Sequence, residues 1–88
     1  MWSAHEDLGM ECAQAGPLSE KQIQLIKIAI TGSLTLETAF KTHVQKSLQA
    51  GTSKREIEHT IIQLLPILGM GRTMMAMKWY QESLIRKR

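Results

Sequence analysis

Cysteine occurs once in the 88 residues, at Cys12. One thiol can neither close an internal disulfide nor supply a cysteine zinc site within the chain, which fits a reducing compartment. Long apolar runs are missing as well: none approaches the roughly 20 residues that a bilayer span requires. Residues 1–20 hold no Lys or Arg and four acids, Glu6, Asp7, Glu11 and Glu20, where a signal peptide needs a basic stretch. A cytoplasmic chain is the expectation. Strand signals are nearly absent, so the fold should be all-helical.

Apolar residues make up 43% of the chain and charged residues 22%, too apolar for disorder and ordinary for a globular domain. A chain this short buries only about 60–65% of the surface its unfolded form exposes, so its core is thin and an oligomer becomes attractive. Charge is uneven. The net charge is +3, and because residues 1–20 carry four acids and no base, the remainder is strongly basic and ends in "RKR". Such a tail can meet nucleic acid or simply be a solvated helix end with favourable macrodipole placement.

Helix boundaries recur at intervals. "SAHE" at Ser3–Glu6 has the form of a capping box and opens a short first helix ending near "QAGP". In "LSEKQ" Ser19 caps a second helix, Gln22 reaches back, and Leu18 can staple against Ile23. Ile23, Ile26 and Ile30 give that helix its stripe until "TGS" at 31–33 lowers helix propensity. A third helix is expected with Thr35 as N-cap and Gly51 as C-terminal stop, placing Leu36, Ala39, Phe40, His43, Val44, Ser47 and Leu48 on one face. Ser53 and Glu56 form another capping box, after which Ile57, Ile61, Leu64, Leu65 and Leu68 point inward and Pro66 breaks the run. From Arg72 or Thr73 a last helix runs to about Ile85, with Met70, Met74, Met77, Tyr80 and Leu84 along one side. Methionines at helical spacing are expected as packing rather than a cofactor box.

His43 is the leading candidate for chemistry, because imidazole alone gives and takes protons near neutral pH without special tuning. The alternative is a core histidine satisfied by a single hydrogen bond. "EIEH" pairs Glu56 with His59 at the i, i+3 spacing of carboxylate-bridged metal sites. The further carboxylates such a site needs have no obvious source, so neither metal nor cofactor is expected. "SLQAGTSKREIEHTI" has the shape of a helix-turn-helix, but Glu56 and Glu58 would sit near phosphates. "GMGRT" lacks the lysine and preceding strand of a phosphate loop.

The order of "LSEKQIQLIKIAI", "FKTHVQKSLQAGTSKREI" and "IIQLLPILGMGRTMMAM" resembles the carboxymuconolactone decarboxylase and alkylhydroperoxidase D-like superfamily over about residues 17–84. The resemblance implies an all-α helical bundle with a buried hairpin, assembled with itself as a homotrimer or homohexamer, with pockets at or near subunit contacts. Residues 1–16 would then be an N-terminal arm and 17–88 the family domain. The peroxidase branch uses a Cys-x-x-Cys pair one turn before a histidine and a glutamate on the preceding helix. Carried onto this chain, the cysteine positions are Leu36 and Ala39, the histidine is His43 and the glutamate position is Gln24. Leu and Ala supply no thiolate, so thiol peroxidase activity is expected to be lost.

The decarboxylase-like branch keeps a histidine without the cysteine pair, and it implies acid-base chemistry on a small organic acid or lactone. In that reading His43 is the acid or base and Gln24 orients it or the substrate. Arg72 pairs with a carboxylate, and Glu37 is a further participant on a solvated face. Two alternatives stand beside it: a non-enzymatic ligand-binding or structural homo-oligomer, and a small DNA-binding module through residues 43–60 and the basic tail.

Overall fold

The computed structural model describes residues 2–85, with side chains from residue 4 onward, so the "RKR" tail lies outside the described residues; Ser3, expected as a cap, has its backbone already inside the first helix. Among those residues six helices and no strands are present: α1 (Trp2–Gln14), α2 (Glu20–Ser33), α3 (Glu37–Gln49), α4 (Lys54–Ile62), the single turn α5 (Leu65–Leu68) and α6 (Met70–Ile85). None is long and apolar enough to cross a membrane. Both internal capping boxes form. Ser19 accepts from the Gln22 amide while the Gln22 side chain accepts from the Ser19 amide, and Ser53 and Glu56 do the same at the start of α4.

α2 and α3 make an antiparallel-type hairpin whose inner face is capped by α4 and α6. Their shared core is Ile28, Phe40, Val44, Ile57, Ile61, Leu64, Ala76 and Tyr80. Gly32 permits the closest approach: a Cβ there would lie 3.2 Å from the Phe40 ring and 3.4 Å from Leu64 Cδ1. Phe40 in turn meets Trp79 edge-on, with ring centroids 5.9 Å apart. Polar ties hold α6 in register. Lys41 bridges Glu37 at 2.9 Å and Glu82 at 2.8 Å, Gln45 donates to the Ser83 carbonyl, and the Tyr80 hydroxyl donates to Glu58 at 2.8 Å.

The turn between α2 and α3 departs from expectation. Thr35 is not the N-cap of α3; Leu36 holds that position and offers no side-chain cap. The reason lies in how α2 ends. Leu36 N–H donates to the Thr31 carbonyl and Thr35 N–H to the Gly32 carbonyl, a Schellman closure that forces Thr35 to φ +57. α3 ends in the same motif, through Thr52 N–H to Ser47 and Gly51 N–H to Leu48, but there glycine occupies the left-handed position at φ +96. A β-branched residue thus stands where the equivalent turn uses glycine.

The last third also differs in which side faces in. α6 buries Tyr80 together with Thr73, Ala76 and Ser83, three small residues that let it approach closely, while Met70 and Met74 are exposed. Pro66 sits in the first turn of α5, where its missing amide is harmless, and the turn leaves Leu65 exposed instead of inward, with Ile67 exposed beside it.

Thr35→Gly should therefore raise stability by roughly 1 kcal/mol, since a left-handed conformation costs an L-residue about 1–2 kcal/mol and glycine's extra unfolded-state entropy returns only part of it. Denaturant unfolding at fixed protein concentration measures this, and a lower midpoint in the variant would contradict the strain assigned to Thr35.

Candidate functional site

α2 and α3 cross so that Gln24 and His43 face each other. Gln24 is 4% exposed, and its Oε1 lies 2.8 Å from Nδ1 of the half-buried His43. The other end of the same amide is also engaged, because Gln24 Nε2 donates to Glu20 Oε2 at 2.9 Å. Glu20, Gln24 and His43 form a continuous chain of polar contacts from the first turn of α2 to the middle of α3.

Burial lowers the His43 pKa below the ordinary imidazole value, and the positive fields of Lys27 and Lys46 lower it further. Among the described residues no carboxylate acts on the ring, and the group beside Nδ1 is an uncharged amide. His43 is accordingly neutral at neutral pH. A neutral imidazole with one nitrogen engaged keeps a second nitrogen for a proton or a substrate.

The other sequence candidates are scattered. Glu37 is spent on Lys41 and lies on the solvated side of α3 toward α6. Arg72 is exposed on the first turn of α6, and the cations acting on His43 are Lys27 and Lys46 instead. Leu36 and Ala39 precede His43 on the same helix, the first exposed and the second half-buried, and neither side chain carries a polar atom. At "EIEH" the Glu56 carboxylate accepts from the Ser53 amide, which holds its pKa below the ordinary range, while His59 is exposed. Among the described residues no three His, Cys, Asp or Glu side chains gather as metal ligands.

Three participants escaped the sequence reading: Glu20, Lys27 and Lys46. Glu20 and Gln24 are four apart, the spacing that stacks side chains on one helix face, so their pairing was available as a signal. Lys46 likewise follows His43 by three on α3, a local spacing, whereas Lys27 was not legible in this way, because its relation to His43 depends on how α2 crosses α3.

The Gln24–His43 contact has a thermodynamic consequence. His43→Leu strips a partner from a buried amide and should destabilise the fold by about 1–3 kcal/mol, whereas the double change Gln24→Leu with His43→Leu should recover most of that loss. Equilibrium unfolding of the four proteins gives the coupling directly; additive losses would mean that the pair does not act as a unit. The pH dependence has a fixed sign. Because folding depresses the His43 pKa, its contribution is fully present above the ordinary value of 6.5 and is lost as pH falls through the folded value. On acidification the melting temperature of the unmodified chain should fall more steeply than that of His43→Leu.

Comparison with known proteins adds a family to this geometry. Searches of curated proteins and of solved structures each returned no match to the chain. The family model described as "Carboxymuconolactone decarboxylase family" matches residues 3–82, from α1 through most of α6. With nearly its whole length so matched, the chain belongs to the carboxymuconolactone decarboxylase family.

Proposed function

We propose that the protein is a homo-oligomer, a trimer or a hexamer built from trimers, in which His43 acts as the acid-base group of a pocket completed at a subunit contact. Its substrate class is a small organic acid or lactone. The observation that carries this reading is the 2.8 Å contact between His43 Nδ1 and Gln24 Oε1, which leaves Nε2 uncommitted beside two lysines. Lys27 and Lys46 replace Arg72 as the cations that draw a carboxylate to the histidine.

The chemistry suits such a site. When carbon dioxide leaves a β,γ-unsaturated or lactone acid, the released electron pair moves into the conjugated system, and a carbon there must be protonated. An imidazole of lowered pKa takes a proton from the substrate or from water and returns it to that carbon at neutral pH. Thiol peroxidase chemistry has no nucleophile at Leu36 or Ala39, and Cys12 is exposed on α1, outside the motif.

Apolar exposure supports the assembly. Ile26, Ile30 and Leu34 along α2, and Leu65, Ile67 and Met70 around α5, are all at least 37% exposed, more unburied apolar surface than a small monomer keeps without purpose. One observation favours a non-enzymatic binding or structural role. An open groove of about 210 Å³ beside α2 is lined by Cys12, Leu18, Ile23, Ile26, Lys27 and Ile30, and it does not include His43.

Light scattering at several concentrations, with and without a short DNA duplex, should give a stable trimer or hexamer indifferent to DNA. A panel of small lactone and dicarboxylic acids should raise the melting temperature of the native chain and lose that effect in His43→Gln; a ligand at a hundred times its Kd contributes about 2.7 kcal/mol. A monomer at every concentration would overturn the pocket, and ligand shifts unchanged in His43→Gln would favour the groove.

A further inference from the structure

We infer that Glu20 is a positioning residue that, through the Gln24 amide, dictates which nitrogen of His43 carries the proton. This deepens the acid-base reading of His43 and rests on it for its catalytic meaning, although its structural content stands without any substrate. The argument follows the direction of each hydrogen bond. An ionised carboxylate only accepts, so Glu20 Oε2, 2.9 Å away, requires the NH₂ end of Gln24. The amide cannot then turn over, and its oxygen must face His43 at 2.8 Å. An oxygen there accepts, so Nδ1 must donate.

The neutral ring is therefore held as the Nδ1–H tautomer, with its lone pair on Nε2. That is the reverse of the form a free histidine side chain favours in water. Glu20 touches neither His43 nor any reacting atom; it acts only by fixing Gln24, whose burial at 4% exposure keeps water from substituting for either partner. The base in this chain is consequently Nε2, and the carboxylate one helical turn upstream of Gln24 makes it so.

The sign of this device can be reversed by charge. Glu20→Lys places a group that only donates where one that only accepts stood, so Gln24 must turn its oxygen toward residue 20 and its NH₂ toward His43. Nδ1 then becomes the acceptor and the proton moves to Nε2. Long-range nitrogen-proton NMR correlations of His43, recorded on the full chain at a pH well above the imidazole titration, read the tautomer directly. The expected result is Nδ1–H in the native protein and Nε2–H in Glu20→Lys. Should Glu20→Lys fail to fold, Glu20→Ala carries the same test and should show a mixture enriched in Nε2–H. Finding Nε2–H in the native chain, or the same tautomer in the native protein and a folded Glu20 variant, overturns the inference. Neither result bears on whether a small acid binds, so failure of the positioning role and failure of the proposed function remain distinguishable. If the function holds, Glu20→Lys lowers kcat with KM little changed, because the lysines that draw the substrate are untouched.

Discussion

The close approach of α2 to α3 is the constraint on which the rest of this small fold depends. Gly32 has no side chain to hold the helices apart, and the Phe40 ring fills the space against it, with Leu64 closing the same spot from the end of α4. Phe40 then reaches Trp79 and sets where α6 lies. About two turns back along α2 and under one turn on along α3, the same crossing brings Gln24 opposite His43 at hydrogen-bonding distance. The packing that makes a core from so few residues is thus also what aligns the polar pair. A bulkier residue at position 32 would act on the site without touching it.

What surrounds His43 differs in kind from a carboxylate-histidine pair. The resemblance places a glutamate of the peroxidase branch at Gln24, and a carboxylate there would hold a proton on the ring by direct attraction. The amide removes that attraction while keeping the geometry, and burial together with Lys27 and Lys46 then works against protonation. The negative charge is not lost from the neighbourhood. It is displaced by one helical turn to Glu20, where it orients the amide without bearing on the ring directly.

Local signals in the sequence were legible where the physics is local. Ser19 with Gln22 and Ser53 with Glu56 satisfy the free amides of their own helix ends, and nothing distant competes for them. Gly51 stops α3 in a left-handed turn for an equally local reason. Thr35 misled for a tertiary one: a hydroxyl residue before a helix reads as a cap, but the preceding helix needed that residue as the left-handed link of its own closure. The stripe read as packing is divided by the fold: Tyr80 is buried and Met77 and Leu84 pack on the core, while Met70 and Met74 are exposed, since periodicity marks an apolar face without saying whether the chain itself covers it. Thr73, Ala76 and Ser83 took the inner face of α6 because small residues admit closer helices.

The candidate site was half legible for the same reason. His43 and Gln24 stand 19 positions apart, and only the family resemblance linked them before the hairpin geometry did. Lys27 belongs to the face that the hairpin turns toward His43, so its influence is a property of the crossing, whereas Lys46 acts from His43's own helix three residues on. Glu37 and Arg72 are the converse: residue types suited to a carboxylate-handling site, placed by the fold where an ion pair with Lys41 or open solvent claims them. The apolar residues left outside follow from the same economy of length. A chain that spends Gly32, Ala76, Thr73 and Ser83 on close approach has little volume with which to bury Ile26, Ile30 or Met74 by itself, and in the proposed homo-oligomer a neighbouring copy would cover them.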